Sequence, residues 1–260
     1  MRRIFLCVAL PLLLTGCATK VQLTDSDPDF AAELAGQPAV ALAGVVVAAT
    51  TSGELSADDA VVADETMYSA FLSQRPDLTV WPRPAVDGRL EPGALDRLRA
   101  EYAQLGRLRP DQVMSLAPFL VDSRFLALAR ITGDQVRTVT TTDQDRGGLR
   151  PGAEGVPERD EDGWSRPVRT ERRLELTVQI FDLRDGRMVW DAEASSRERQ
   201  QYAYEDALGE DATYVRDRLA EDSDEPNLSR DGVYLQTPDL MMLLERALTK
   251  VVRKLPAAGR

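Results

Sequence analysis

One stretch limits the fold more than any other. From 172 to 182, Leu174, Leu176, Val178 and Ile180 take every second position, and Glu175, Thr177, Gln179 and Phe181 lie between them. A period of two is the mark of a strand with one face in a core. Asp185-Gly186 follows, a pair suited to a tight hairpin turn because glycine accepts positive φ without a Cβ clash. The chain then returns from 187 to 195 with Met188, Trp190, Ala192 and Ala194 alternating. Two such strands form an antiparallel hairpin with one apolar face. The rest of the chain must supply a cover for that face.

Suitable elements are present. Residues 39–48 form a Val-rich apolar run, short for a bilayer and fitted to a strand buried on both faces. Ser56-Ala57-Asp58-Asp59 offers a helix start, and Val61, Asp64, Met67, Tyr68, Phe71 and Leu72 follow at helical spacing, with Asp64 the polar exception. Residues 77–82 read as a short strand closed by Trp81 and ended by Pro82, which makes a βαβ start. Glu91-Pro92-Gly93 opens a helix with Leu95, Leu98, Tyr102 and Leu105 on one face, and Pro110-Asp111 opens a shorter one with Val113, Leu116, Ala117 and Leu120. Residues 124–131 read as a buried strand, Gly133-Asp134 as a turn or bulge, and 136–142 as a Thr-rich edge. The last helix starts at Thr237-Pro238-Asp239, with Thr237 as its cap and Leu240, Leu244, Ala247, Val251 and Leu255 as its stripe. The expected fold is α/β, with α+β as the alternative: one domain, 39–256, with a mostly central mixed sheet, the hairpin, flanking helices and two long loop insertions. Those insertions are 143–171, rich in Gly and Pro, and 196–236, rich in acids.

The first residues have a different character. Arg2 and Arg3 precede an apolar run to Leu14, then come Thr15, Gly16 and Cys17. A basic start and a short apolar run make a secretory signal peptide, 1–16. Leu14-Thr15-Gly16-Cys17 resembles the lipobox of bacterial lipoproteins. That resemblance implies cleavage between Gly16 and Cys17, a diacylglyceryl group on the Cys17 sulfur, and an acyl chain such as palmitate on its new amine. Ala18 in the next position implies the outer membrane and its periplasmic face. The competing reading is a secreted protein with a chance cysteine at the cleavage site. Residues 17–38, with the polar run Asp25-Ser26-Asp27-Pro28-Asp29, read as a lipidated tether. About 20 extended residues reach roughly 70 Å at most, so the domain stays near its membrane.

Composition removes several kinds of chemistry. The chain has no histidine, and its two cysteines are Cys7, in the leader, and Cys17. A Ser-His-Asp triad, His-ligated zinc and a thiol nucleophile in the domain are therefore excluded. The net charge is −11, so the average surface repels phosphate backbones and anionic lipid, and nucleic acid is not an expected partner. No cofactor or metal is expected. Glu205, Asp206, Glu210 and Asp211 lack the spacing of a calcium loop and read as a solvated acidic face, as do Asp222, Asp224 and Glu225. Trp190 reads as core. Trp164, in the first long loop, is a candidate partner contact, with local packing an equal alternative.

In order, the elements are strand, helix, strand, two helices, strand, hairpin and closing helix. With Phe181-Asp182 and Asp185-Gly186-Arg187-Met188-Val189-Trp190 in the hairpin, this resembles the envelope lipoproteins of the LpoB, CsgG and TolB N-terminal-domain type. The resemblance spans about 39–255, with both long loops as departures. It implies a membrane held through lipid on Cys17, a protein partner in the envelope, and a non-enzymatic role as an interaction or assembly factor. A pore of the CsgG kind needs long strands with a lipid-facing alternation, which is not evident here. The alternative function is a carboxylate-dependent hydrolase acting on envelope glycans. The oligomeric state is not legible.

Overall fold

The structure, a computed structural model, describes residues 18–51, 55–140, 168–202 and 237–257. The chain runs β1 (Ala18–Ser26), α1 (Phe30–Gly36), β2 (Ala39–Val47), α2 (Ala57–Gln74), β3 (Thr79–Trp81), α3 (Arg83–Asp87), α4 (Ala94–Leu105), α5 (Pro110–Met114), β4 (Phe125–Thr140), β5 (Val168–Asp182), β6 (Met188–Tyr202) and α6 (Leu240–Val252). The strands form one open sheet in the order β1-β6-β5-β4-β2-β3. β3 and β4 lie parallel to β2, and the remaining pairs are antiparallel. This is the mixed-sheet α/β domain that the sequence predicts.

Two apolar layers hold it. On one face, Phe30 and Leu34 of α1, Met67 and Phe71 of α2, and Leu244, Ala247 and Leu248 of α6 pack on Leu174, Leu176, Val178 and Ile180 of β5 and on Trp190 of β6. On the other, Leu95, Leu98 and Tyr102 of α4 and Val113 of α5 cover Ala41, Ala43, Leu126 and Leu128 of β2 and β4. β2 feeds both layers, which is why its sequence is apolar at nearly every position.

The hairpin turn is fixed by contact. Gly186 has φ +73°, and a Cβ there would strike the backbone of Pro110 at the start of α5. Asp182, at the end of β5, accepts from Arg184 N at 2.8 Å and pairs with Arg124 at 2.7 Å, and Arg124 also pairs with Glu33 of α1 at 2.6 Å. Burial lowers the Arg124 guanidinium, but the hydrogen bonds to Asp182 and Glu33 outweigh it and raise it.

The opposite margin is closed by side chains. β3 pairs with β2 only as far as Ala41↔Trp81. Beyond it, Arg99 of α4 donates to the carbonyls of Ala43 at 2.8 Å and Val45 at 2.9 Å, and Asp64 of α2 accepts from Val45 N at 2.6 Å. Asp64 also pairs with Arg99 at 3.2 Å and Arg83 at 3.0 Å. Gly44, at φ +92°, leaves the space this cluster fills, since a Cβ there would strike both Asp64 and Arg99. The polar exception in the α2 stripe thus ties helices from both faces together around the β2 edge.

Several expectations are corrected. Most of the predicted tether is folded: Ala18–Ser26 is an edge strand paired antiparallel with β6, and Phe30–Gly36 is a helix with Phe30 and Leu34 in the core. Its polar residues face outward at a sheet margin, which looks like a linker in sequence. The hairpin strands outrun the predicted loops, because Val168–Asp182 and Met188–Tyr202 include 168–171 and 196–202. α3 was not foreseen. Val61, Leu72 and Leu105, placed on apolar stripes, are exposed, while Ala63 and Ala70 take the contact positions of α2. The α6 cap is Asp239, whose carboxylate accepts from Met241 N at 2.8 Å, and not Thr237. The Gly133-Asp134 reading is met by a register shift between Ile131 and Gly133 within a continuous β4.

Candidate functional site

α3, α4 and α5 cover only part of their face. Among the described residues the cover ends over β5, β6 and β1, and the even positions of β5 enter the core while its odd positions as far as Gln179 stand on the side left open, Phe181 being the first that α4 covers. Ladder partners share a face, so the open side is a series of rungs: Arg137–Glu171–Arg199, Gln135–Arg173–Arg197, Glu175–Ser195–Lys20, Thr177–Glu193–Gln22 and Gln179–Asp191–Asp25. A groove of about 880 Å³ runs over it, lined among others by Arg130, Arg173, Thr177 and Glu193.

The end of this face nearest the hairpin turn is unusual. Where α4 stops covering the sheet, Tyr102 lies edge-on to Phe181 with ring centroids 6.5 Å apart. The Tyr102 hydroxyl, Gln179 Oε1 and Asp191 Oδ1 are all buried without a hydrogen-bond partner among the described residues. Buried polar atoms are normally satisfied, so three together mark a place where water or a ligand group is wanted. Burial pushes the Asp191 carboxyl up, the charges of Glu193 and Asp25 add to that, and a hydrogen bond from Gln179 opposes it. Burial also pushes the Tyr102 phenol up, with Asp191 reinforcing and Arg130 opposing. Arg130 is held by Ala103 O, accepting from Nε at 3.2 Å and Nη2 at 3.1 Å, which fixes the last turn of α4 against the groove.

The outer end is basic. Glu171 accepts from Arg199 at 3.0 Å and from Arg197. Burial would raise its carboxyl, but the hydrogen bonds from Arg197 and Arg199 outweigh that and hold it below the usual range.

A second cavity of about 390 Å³ lies at the carboxyl end of β2 and beside the middle of β4, between Val47, Ile131, Asp59 and Leu240. Its one guanidinium is engaged: Arg172 grips Asp134 through two bonds, 2.8 and 2.6 Å, and donates to Pro238 O at 3.0 Å. Among the described residues no group of three acidic, His or Cys side chains is placed to hold a metal, and no helix is long and apolar enough to cross a membrane.

Of the residues singled out in the sequence, Gly16, Cys17 and Trp164 lie outside the described residues, as do Glu205, Asp206, Glu210, Asp211, Asp222, Asp224 and Glu225. Trp190 is core. Trp81 ends β3 under the Arg89 guanidinium, 3.5 Å from its ring centre. Asp191, Gln179 and Tyr102 were not foreseen as a group. Asp191 among the apolar residues of the return strand was the only local signal.

No family model and no curated protein matches this chain. Among solved structures it is similar to the PelC dodecamer from Paraburkholderia phytofirmans, at 13% identity over 92% of this chain and 99% of that one, TM-score 0.36. It is also similar to lipoprotein GNA1162 from Neisseria meningitidis, at 11% identity over 70% and 98%, TM-score 0.33. A third is the LpoB C-terminal domain from Salmonella enterica, at 11% identity over 64% and 91%, TM-score 0.30. At these TM-scores the likeness decides neither fold nor function.

Proposed function

We propose that this is a lipid-anchored cell-envelope protein, held by Cys17 at the periplasmic face of the outer membrane, that acts as a non-enzymatic interaction or assembly factor. The observation that carries the interaction role is the open four-strand face, with three buried unpartnered polar atoms at one end and exposed charge at the other. Such a face is costly to leave dry and suited to a polar partner. The absence of histidine, and of any cysteine after Cys17, supports a role without nucleophilic or His-dependent chemistry.

A photo-crosslinking residue in place of Thr177, in cells, tests it. One reproducible adduct of defined mass is expected there and none with the same residue in place of Ser115, after α5 at the hairpin-turn end of the domain. Cys17→Ser should release the chain from the membrane fraction with its fold intact. No adduct at Thr177, together with measured turnover by the purified chain, would remove the proposal.

One observation favours a second reading. Asp191, biased toward its protonated form, shares a strand face with exposed Glu193, roughly 7 Å away along the strand. A carboxylate-dependent hydrolase of envelope glycans would use such a pair. It predicts cleavage of purified peptidoglycan that is lost in Asp191→Asn, and no cleavage by the unsubstituted chain would dispose of it.

A further inference from the structure

Cys17 is joined directly to Ala18, the first residue of β1, and Ala18 pairs with Arg197. An anchor at Cys17 is thus one peptide unit, about 3.8 Å, from the sheet itself. β6 continues from Arg197 to Tyr202 alongside β5, roughly 17 Å beyond the level of Ala18. A lipid headgroup layer is only about 5–8 Å deep. With its strands upright on the membrane, an anchored domain would drive this ribbon through the headgroups, so the ribbon must lie along the surface. One of its faces is already used: Arg172 donates to Pro238 O, and Arg246 pairs with Glu198 at 2.6 Å, both on the α6 side. The other is the open face, and there it carries Arg137, Arg173, Arg197, Arg199 and Lys20 against Glu171 and Glu175. On a chain of net charge −11 this is a local reversal of sign. The repulsion of anionic lipid expected from average charge does not hold for this end of the face, while Glu193, Asp191 and Asp25 keep the other end acidic.

We infer that the arginine-bearing end of the open face, beside Ala18, is a docking surface for anionic phospholipid headgroups, which orients the domain on the membrane that anchors it. The inference rests on the anchoring reading in one respect, the position of the anchor immediately before Ala18. Guanidinium groups pair with phosphate oxygens in two-point contacts, and juxtamembrane cations are drawn to anionic leaflets.

The test uses the whole chain as cells produce it, reconstituted in vesicles with phosphatidylglycerol or with phosphatidylcholine alone, and its amino-terminal mass. Fluorophores are placed through Gln135→Cys, on the Arg173–Arg197 rung of the open face, and Ser115→Cys, at the far end. A headgroup-attached quencher should dim the first and spare the second, in phosphatidylglycerol vesicles only. The effect should fade at about 0.5 M salt. Replacing Arg173, Arg197 and Arg199 by Ser should weaken the preference for anionic vesicles roughly a hundredfold. Glu171→Gln, which removes an acid from the patch, should strengthen it. Equal quenching at both positions, equal quenching in both lipids, or no sedimentation with anionic vesicles would overturn the inference. An unlipidated amino-terminal mass would overturn the anchoring reading alone.

Discussion

Asp191 lies directly across the β5–β6 ladder from Gln179, both side chains are buried, and each keeps one oxygen without a donor. The pair joins the core to the open face, and its energetics follow from the raised Asp191 carboxyl. A carboxyl raised in the folded state binds its proton more tightly folded than unfolded. Stability therefore falls as pH rises from the unfolded value, about 3.9, through the raised folded value, and the cost stays in full above it. Asp191→Asn removes that cost. The variant should melt higher than the unsubstituted chain at pH 7, and the advantage should vanish below about pH 4. Thermal scans across pH check this. If the open face binds the proposed partner through Asp191, the same variant should lose the Thr177 crosslink.

Gly186 tests the docking of the hairpin turn. Alanine there must hold φ near +73° and push the backbone of Pro110 aside. Left-handed strain of about 1–2 kcal/mol and overpacking of about 1–3 kcal/mol lead us to expect a loss of about 2–5 kcal/mol in urea unfolding, with the slope unchanged. Gly93→Ala, where only the far end of Arg97 is near, should cost less.

Asp64→Ala would leave Arg99 largely buried beside open backbone groups of β2. Burial already lowers the Arg99 guanidinium despite the attraction of Asp64. Removing one partner of a buried pair costs about 3–5 kcal/mol, so denaturant midpoints should fall accordingly. Asp64→Ala with Arg99→Met should recover part of the loss, because no buried charge is then unpaired. A double-mutant cycle measures the coupling.

β1 is predicted to be structural. It makes eight cross-strand pairs with β6, at roughly 0.2–1 kcal/mol each. A chain beginning after Ser26 should therefore be less stable by about 2–8 kcal/mol, and hydrogen exchange should show protected β1 amides in the longer chain. A true tether would show neither.

Local patterns carried much of this fold. The alternation of Leu174 to Ile180 and the Asp185-Gly186 turn are contacts between near neighbours in sequence, so the hairpin was legible. The burial of 39–48 was legible too, because a strand covered twice needs apolar residues throughout. β1 was not legible. Its partner lies about 170 residues away, and an edge strand with one face exposed shares its polar composition with linkers. The ribbon 196–202 was missed for a related reason: both its faces are polar, so no alternation marks it. Asp64 appeared only as a flaw in a stripe, since its value lies in Arg99 and Val45 N, which no helical period reveals. The open face was half legible. The alternation sets Glu175, Thr177 and Gln179 opposite the core face, but that no helix of the described residues lies over them depends on where α4 stops.

The closure of the β2 margin by Asp64 and Arg99 has a consequence for assembly. A sheet grows by adding strands at unpaired margins, and a protein with two open margins can string into fibres. Here one margin ends in a three-residue strand and a guanidinium seated on its neighbour's carbonyls. Growth alongside β2 is then blocked, and among the described residues the margins left for it are β1 and the ribbon beyond it, where β4 past Ile131 and β6 past Arg197 each pair on one side only. Edge-to-edge association of this fold is steered away from its parallel end.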